Sequence, residues 1–549
     1  MPYIPLRPES WELLCRDYPD RNVVNAIVGI ARFGARIGFL GERKGQHIAK
    51  NLSTAYELPG VLEEDLVEQQ SHDRLTKYIS RSSLPCCFRA SPLGLVDKPG
   101  GKKRRIHHLS HPPGFSINDG IPVAFGEICY SSVHDVIEII QRLGEGTVMI
   151  KRDFADAFRH VPVSPEDTPL LGFSFGSQFY AERFLPFGLR TAPYLFNLFA
   201  ELFHWILEQH LHDIVEEAQV VHYLDDFIIL LPPGCDWRPA GDIFEQLAGK
   251  VGLRIKEKKN EEGTVANFGG VVFDTRRMVI QLPAEKKSKG LSLIEKLAPE
   301  TARAITLHDL QQLTGFLNFA TLVVPIGRAF LRRLYNLQMF FPEGNFSKRR
   351  ISQEARKDLD WWTSLLSSTV EIERYFHLRQ RKTYLLWTDA AGLKGLGGYY
   401  HQAGQDWPDG NLQQVSPGEA FMLALPRPIQ RRMEHINTME MRAIEQGLLH
   451  WGRRWKGARV IAHIDNQAVV QGISNQTMRG NTMNVLRRCL LLTSKHDIEF
   501  HPCWIPTEEN KLADALSRFD REKVANLAPQ LSSLFDHQLR GFRMSETQD

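Results

Sequence analysis

The sequence predicts a multidomain protein made of α+β and α/β layers. The chain has 549 residues, and since single domains usually contain about 100–200 residues, its length indicates about three or four domains. Apolar, β-branched runs such as residues 220–231 are typical of buried strands, whereas residues 307–319 repeat apolar side chains at helical spacing. The two patterns alternate along the chain, which favours mixed layers over an all-helical or all-strand fold.

The composition is ordinary for a soluble globular protein and excludes few functions. The formal net charge of +3 is nearly neutral, so contact with nucleic acid would depend on local basic patches. The seven cysteines show no zinc-ligand spacing and their number is odd, which predicts reduced thiols in an intracellular protein. The apolar stretch at 23–40 contains Arg32 and Arg36, so we interpret it as a core helix and expect no membrane partner.

Two adjacent carboxylates, Asp225 and Asp226, interrupt the apolar run at 220–231. A tight hairpin would accommodate them, because Asp tolerates turn conformations. However, no glycine lies within several residues, and Tyr223 and Phe227 stand close by. Carboxylates held against apolar walls shift their pKa values or bind a metal ion, and Mg²⁺ prefers oxygen ligands. From this stretch alone, both the hairpin and the metal interpretation stay open.

A second strand-like run ends in Asp153, and a two-metal site needs ligands from separated strands. The runs at 149–158, 184–193 and 220–231 resemble, in this order, the A, B and C motifs of reverse transcriptases. Residues 223–226 are similar to the Tyr-x-Asp-Asp signature of that family. Three motifs in the family's order and spacing make this resemblance specific.

The resemblance implies a right-hand polymerase with fingers, palm and thumb. Asp153, Asp225 and Asp226 would hold two Mg²⁺ ions, with Mn²⁺ as an alternative. Phe187 and Gly188 of motif B would contact the substrates.

Phe158 matches the position where reverse transcriptases place a bulky aromatic ring under the incoming sugar. Its apolar neighbours Phe154, Ala157 and Val161 leave a plain core role open for it.

A basic cluster surrounds a Pro-Gly-Gly turn within residues 91–106. By itself it is compatible with an exposed basic loop or a nuclear-localisation run. Its place just upstream of motif A resembles the fingers hairpin of reverse transcriptases, which implies that Lys98 and Arg104 hold the incoming triphosphate. The following segment, 107–120, departs from the retroviral pattern and is similar to that of tyrosine-recombinase (DIRS-like) retrotransposons, while its two histidines are expected to be structural.

Residues 251–259 resemble motif D, in which a lysine assists the leaving pyrophosphate. The pattern leaves Lys258 and Lys259 both open, and Lys258 is our candidate. The helical stretch after residue 280 resembles a thumb and connection.

A second set of acids follows in the last third of the chain. Asp389 and Asp465 each end a strand-like run, and Asp514 follows a helix start. Glu440 lies on the apolar face of a helix, where a carboxylate is costly unless it is paired or metal-bound. Four acids from different elements are a ligand set that could hold two metal ions. They resemble the Asp-Glu-Asp-Asp set of ribonuclease H domains in retroelement polymerases, although residues 507–509 replace the histidine of some relatives.

The resemblance predicts five segments and a set of nucleic-acid partners. The expected partners are an RNA template, a DNA or RNA primer, RNA–DNA hybrid and dNTPs. The alternative is an inactive remnant that only binds nucleic acid. Such a remnant is expected to have lost some of the acids, but all seven are present. An RNA-copying polymerase is disfavoured by Phe158 and by the fused nuclease.

The expected segments are an N-terminal helical region (1–80), fingers and palm (81–280), thumb and connection (281–380), a ribonuclease H-like mixed-sheet domain (381–522) and a C-terminal tail (523–549).

Overall fold

The structure is a computed structural model, which describes residues 6–97, 103–297, 304–341, 347–376, 380–392, 394–404, 412–425 and 434–535. The chain divides into two compact units. The first contains residues 1–281 and 375–377, and the second contains residues 282–374 and 378–549.

The first unit mixes helices with short antiparallel sheets. Its helices are α1 (Pro8–Leu14), α2 (Arg21–Phe33), α3 (Thr54–Glu57), α4 (Pro59–Ser71), α5 (Val133–Leu143), α6 (Ala192–His212) and α7 (Arg238–Val251). Its strands are β1 (His47–Ile48), β2 (Leu75–Tyr78), β3 (Arg89–Ala90), β4 (Leu93–Asp97), β5 (Lys103–His107), β6 (Val148–Asp153), β7 (Gly172–Phe175), β8 (Gln178–Glu182), β9 (Gln219–Tyr223), β10 (Asp226–Leu231), β11 (Glu261–Gly263), β12 (Val265–Phe268), β13 (Val271–Asp274) and β14 (Val279–Gln281).

A four-stranded sheet of order β11-β6-β10-β9 carries the first set of acids. Strand β10 is antiparallel to both of its neighbours. Its buried face and helices α6 and α7 share a core in which the rings of Phe154, Phe203, Phe227 and Phe244 lie 5.1–5.7 Å apart. Burial of such rings is a large apolar contribution to stability, so the strand ends that carry the acids have a rigid base.

The predicted N-terminal region packs into this same core. Trp11 of α1 is fully buried, meets Phe199 edge-on at 5.4 Å and donates a hydrogen bond to the Val251 carbonyl at 3.1 Å. The helix predicted at 23–40 is shorter than expected, because Gly34 adopts a φ of +84° and ends α2.

The elements predicted to be fingers form two further sheets. One has the order β1-β3-β7-β8-β2, and the other is the antiparallel hairpin β4-β5. The basic cluster therefore lies on a hairpin, as predicted, but its turn at 98–102, which includes Lys98, falls outside the described residues. The strands β12, β13 and β14 form an antiparallel meander whose first turn, Gly269–Gly270, has positive φ at both positions.

The second unit begins with helices and ends with a mixed sheet. Its helices are α8 (Ala284–Leu297), α9 (Leu307–Ala320), α10 (Arg332–Gln338), α11 (Gln353–Ser367), α12 (Ile436–Trp451), α13 (Gln467–Ser474), α14 (Thr482–Lys495), α15 (Lys511–Arg518) and α16 (Arg521–Leu527). The strands after β14 are β15 (Ile305–Thr306), β16 (Lys348–Arg349), β17 (Glu373–Tyr375), β18 (Thr383–Ala390), β19 (Gly395–Gln402), β20 (Ala420–Ala424), β21 (Arg459–Ile464) and β22 (Glu499–Trp504).

The mixed sheet has the order β20-β19-β18-β21-β22. The strands β18, β19 and β20 are antiparallel, whereas β21 and β22 run parallel to β18. Helices α12 and α15 both pack against β18 and β19. This arrangement fits the mixed sheet that the sequence predicts for residues 381–522.

The predicted connection packs against the mixed-sheet part within this unit. Asp358 of α11 is buried and pairs with Arg333 at 2.8 Å and with Arg487 of α14 at 3.1 Å. Arg487 also donates to the Ala329 carbonyl at 3.0 Å. Because these charges are shielded from water and saturated by partners, they fix the connection to the sheet domain.

The predicted tail at 523–549 is folded in its described part. Val524, Ala528 and Leu531 are fully buried in a cluster with residues of α15. Because Leu534 and Phe535 also pack against this cluster, the domain extends to at least residue 535, beyond the expected end at 522.

Among the described residues, the structure contains no helix that is both long and apolar enough to span a bilayer.

Candidate active sites

The first acid cluster forms at the tip of the β9-β10 hairpin. Tyr223 and Asp226 are paired across the hairpin, so Leu224 and Asp225 make the turn. Leu224 has a φ of +56°, which is unfavourable for a side chain with a Cβ and is held by the surrounding sheet. The hairpin and the acid cluster are thus features of one structure rather than alternatives.

The same sheet brings Asp153 to this turn. Asp153, at the end of β6, is the register partner of Asp226. The backbone N–H of Phe154 donates to the Asp225 carbonyl at 3.0 Å. Three carboxylates from two sequence motifs therefore share one edge of the sheet.

Burial and mutual repulsion raise the pKa values of the two hairpin acids, Asp225 and Asp226. Burial, opposed by Lys151 at 3.5 Å and reinforced by Asp153 and Asp225, raises the pKa of Asp226 to about 6. Burial and the charge of Asp153 also raise the pKa of Asp225. A cluster of partly buried oxygen ligands with unfavourable like charges fits a hard divalent cation such as Mg²⁺.

Of the two motif D lysines, the structure brings Lys259 to the acids. Its Nζ donates to Asp153 Oδ2 at 2.6 Å, and this bond raises the pKa of Lys259. Our candidate Lys258 lies on the same short turn and is exposed. Because the turn at 257–259 directs only one of the two amines towards the carboxylates, our candidate for the motif D lysine changes from Lys258 to Lys259.

Three of the predicted substrate residues contact one another beside the β4-β5 hairpin. The guanidinium of Arg104 lies 5.6 Å from the centre of the Phe187 ring, a cation–π distance. Phe187 in turn lies 5.1 Å from the ring of Phe158. Phe187 is 46% exposed, whereas Phe158 is half-buried and also contacts Phe196 at 6.1 Å. Arg104 and Phe187 thus present a charged and an aromatic surface next to Phe158.

Gly188 is required by the close approach of two backbones. Its φ is +93°, and a Cβ at this position would lie 3.0 Å from the His107 carbonyl oxygen. Asn118 fixes the same loop, since it donates to the Gly188 carbonyl at 2.8 Å and accepts from the Arg190 N–H at 2.8 Å. The histidine-containing segment at 107–120 therefore supports motif B, and its His107 is buried as a structural residue.

A buried ion network holds the basic hairpin in place. Arg105, adjacent to the exposed Arg104, turns inward and pairs with Glu182 at 2.9 Å and Asp65 at 2.6 Å. Arg159 pairs with the other Glu182 oxygen at 2.7 Å. Burial alone would raise the pKa of Glu182, but the two arginines lower it to about 2.

We expect Glu182→Gln to lower the free energy of unfolding by about 3–5 kcal/mol at pH 7, because it leaves two buried guanidinium groups without their shared anion. The depressed pKa means that this stabilisation is complete above pH ~4.5 and is lost as the pH falls towards ~2. Denaturant titrations at several pH values measure both effects. The exposed Glu217→Gln is the control, and an unchanged midpoint in Glu182→Gln would contradict the network's role.

The second acid cluster combines a strand end, a helix and the residue after a strand. Ligand oxygens of Asp389, Glu440 and Asp465 lie within 4.8 Å of one another, the one such group of three among the described residues. Asp514 of α15 is not in this group. Its Oδ1 accepts a hydrogen bond from Arg518, although its charge still acts on Asp389 and Asp465.

The electrostatics of this cluster also fit a cation. Burial, then the charges of Asp389 and Asp465, raise the pKa of Glu440 well above its usual range. Burial raises the pKa of Asp389 to about 6, against the effect of a hydrogen bond from Ser517. Glu440 Oε2 is buried and has no hydrogen-bond partner within the described part of the chain. An orphaned carboxylate oxygen facing two further acids is a donor set suited to Mg²⁺.

Several supporting residues were missed by sequence reasoning. Three of them orient the acids of the second cluster through side-chain hydrogen bonds: Ser517 bonds Asp389, and Thr507 and Asn510 bond Asp465. The fourth, Asn118, fixes the loop of motif B. The only signal in the sequence was their place beside a motif.

Comparison with known proteins agrees with the first site. Residues 109–287 match the family described as reverse transcriptase (RNA-dependent DNA polymerase). "Protein P" of heron hepatitis B virus is 21% identical over 207 residues, which cover 38% of this chain and 24% of that protein. The "Gag-Pro-Pol polyprotein" of mouse mammary tumor virus is 24% identical over 237 residues, or 42% of this chain and 12% of the polyprotein.

The chain thus spans about a quarter or less of the length of these relatives. Among solved structures, a foamy viral protease-reverse transcriptase in complex with RNA/DNA hybrid aligns with a TM-score of 0.46 at 14% identity, covering 92% of this chain and 64% of that one. The match at 109–287 includes all three acids of the hairpin site and the loop of motif B. This chain therefore contains a reverse transcriptase domain with viral homologues.

Proposed function

We propose that the chain is an RNA-directed DNA polymerase with a fused ribonuclease H that copies retroelement RNA into DNA. The observation that carries the proposal is the meeting of Asp153, Asp225 and Asp226 at one sheet edge inside the reverse transcriptase domain. The second acid cluster, on a ribonuclease H-like sheet, supports the nuclease. The segment at 107–120 supports an origin in a tyrosine-recombinase retrotransposon.

In the polymerase, Asp153, Asp225 and Asp226 would hold two Mg²⁺ ions. Bound Mg²⁺ would neutralise charge on the triphosphate and favour ionisation of the primer 3′-hydroxyl. Arg104 would contact the phosphates of the dNTP from its exposed position over Phe187. Lys259 keeps a proton on Nζ beside Asp153, where it is placed to donate that proton to the leaving pyrophosphate.

In the nuclease, Asp389, Glu440, Asp465 and Asp514 would hold metal against the RNA strand of a hybrid. Ser517 orients Asp389 by a hydrogen bond, and the side chains of Thr507 and Asn510 do the same for Asp465. The 2′-hydroxyl distinguishes the RNA strand from DNA.

The proposal is tested by primer extension on an RNA template with dNTPs and Mg²⁺, together with cleavage of a labelled RNA–DNA hybrid. We expect both activities, and we expect chelation of the metal to remove both while hybrid binding persists. Binding without either activity in Mg²⁺ or Mn²⁺ would instead identify a silent nucleic-acid-binding remnant. Extension with rNTPs in preference to dNTPs would identify an RNA-copying polymerase.

Removal of the Arg104 charge should weaken dNTP binding. We expect Arg104→Ala to raise the KM for dNTP at least about tenfold, because a charge-assisted contact to phosphate contributes about 1.5–3 kcal/mol, while affinity for primer–template stays unchanged. Steady-state kinetics measure the change, and Lys250→Ala, another exposed cation of the same unit, is the control. A loss of template affinity alone, largest at low salt and smaller at high salt, would show that the hairpin binds duplex instead.

A further inference from the structure

A buried lysine lies on the same face of the sheet as the polymerase acids. Lys151 precedes Asp153 by two residues on β6, so the two side chains point to the same side of the strand. In the register of the sheet, Lys151 lies between Ile228 of β10 and Glu261 of β11. Its side chain is only 9% exposed, so its ammonium group has little access to water and its charge must be balanced by protein groups.

Two carboxylates balance the charge of this lysine. The Nζ atom of Lys151 lies 3.5 Å from Oδ1 of Asp226 and 3.8 Å from Oε1 of Glu261. The other oxygen of Glu261 accepts a hydrogen bond at 2.8 Å from the backbone N–H of Asn267 on β12. Glu261 is thus fixed by a backbone contact, and Lys151 is held between this fixed partner and one of the acids of the site.

The two lysines of the site differ in their freedom to move. Lys259, which bonds Asp153, has a side chain that is 48% exposed, so its amine can move away from the acids into solvent. The enclosed side chain of Lys151 has no such freedom. Oδ1 of Asp226 is buried and faces Lys151, which leaves Oδ2 as the oxygen of Asp226 that can bind a metal ion. Lys151 therefore contributes a permanent positive charge to a cluster of metal-binding acids.

We propose that Lys151 is a positioning residue of the polymerase site, a fixed counterion that holds Asp226 in one orientation and weakens the binding of divalent cations to the acids. A positive charge enclosed among the ligands repels any cation that they bind, and this repulsion is strong where water is scarce. The inference rests on the proposed polymerase function and adds a residue that determines the metal affinity of its site.

The experiment measures Mn²⁺ binding by the full-length chain without dNTPs, from the electron paramagnetic resonance signal of free Mn²⁺. Asp225→Asn in the same assay identifies the binding that belongs to the polymerase acids. Lys151→Met keeps an apolar stem and removes the charge, so it should lower the Kd for Mn²⁺ about tenfold. Glu261→Gln should raise this Kd, because Lys151 then pairs more strongly with Asp226. Opposite shifts from two neighbouring substitutions are expected of a charge effect and not of a general loss of structure.

Lys250→Met is the matched control, because Lys250 is an exposed lysine of the same unit. The Mg²⁺ concentration that gives half-maximal primer extension should shift in the same direction as the Kd in each variant. Thermal unfolding verifies folding, and if Lys151→Met does not fold, Glu261→Gln decides the question alone, since this side chain is 39% exposed.

An unchanged Kd in folded Lys151→Met, or a shift in the same direction in Lys151→Met and Glu261→Gln, would overturn the proposal. If the wild type extends primers while Lys151→Met binds Mn²⁺ normally, this inference fails and the polymerase function stands. If the wild type extends no primer and Asp225→Asn removes none of its Mn²⁺ binding, both fail together.

Discussion

Asp225→Asn is expected to abolish primer extension and to leave hybrid cleavage intact. Asn keeps the size of the side chain and suits the hairpin turn, but it removes a charge needed to hold metal. The loss should be at least about 10²-fold, the size of effect seen when one electrostatic contact to a transition state is removed. Since Asp225 is repelled by Asp153 and its pKa is raised, the substitution should not lower stability.

Asp465→Asn should give the reverse result. Asp465 is part of the cluster with Asp389 and Glu440 in the second unit, so its loss should remove hybrid cleavage and preserve extension. The two assays are run on the same preparations, with thermal unfolding as a check of folding. The exposed acids Asp242 and Asp360, one in each unit, provide the controls Asp242→Asn and Asp360→Asn. Loss of both activities in a folded single variant would show that the two sites are not independent.

The acids were predictable from sequence because each one breaks a strong local pattern. Three of the acids end or interrupt apolar strands, namely Asp153, Asp225 and Asp389, and Glu440 lies on an apolar helix face. A carboxylate among residues that are expected to be buried is recognisable from the sequence alone. The hairpin at 223–226 was likewise visible, since two strands flank a short polar break. Such signals depend on neighbouring residues in the sequence, so they can be recognised without a structure.

The supporting contacts were not predictable, because they join residues that are distant in the chain. Glu182 and Arg105 are 77 positions apart, and nothing near Arg105 indicates that it turns inward while Arg104 stays exposed. The preference for Lys259 over Lys258 depends on the orientation of a single short turn. The extension of the mixed-sheet domain to residue 535 was missed because its helices are short, although Val524 and Leu531 are fully buried.

Phe158→Ala should relax the discrimination between dNTPs and rNTPs. The ring lies half-buried against Phe187 and Phe196, a few residues after Asp153, where it would close the space that a 2′-hydroxyl needs. Discrimination by steric exclusion is lost when the excluding group is removed. We therefore expect rNTP incorporation to rise at least about tenfold, the lower range for adding room in a pocket, while much of the dNTP activity is retained.

The competing explanation is that Phe158 only fills the core, and Phe196→Ala provides the matched comparison. Phe196 is fully buried, so its truncation should cost about 3–5 kcal/mol of stability and should reduce activity towards dNTPs and rNTPs alike. Phe158→Ala should cost less, because part of its ring already faces solvent. Single-nucleotide incorporation with each dNTP and rNTP, at a temperature where both variants are folded, separates the two roles. A folded and active Phe158→Ala enzyme with an unchanged rNTP to dNTP preference would rule out the steric gate, and the RNA-copying alternative would then have to be tested directly.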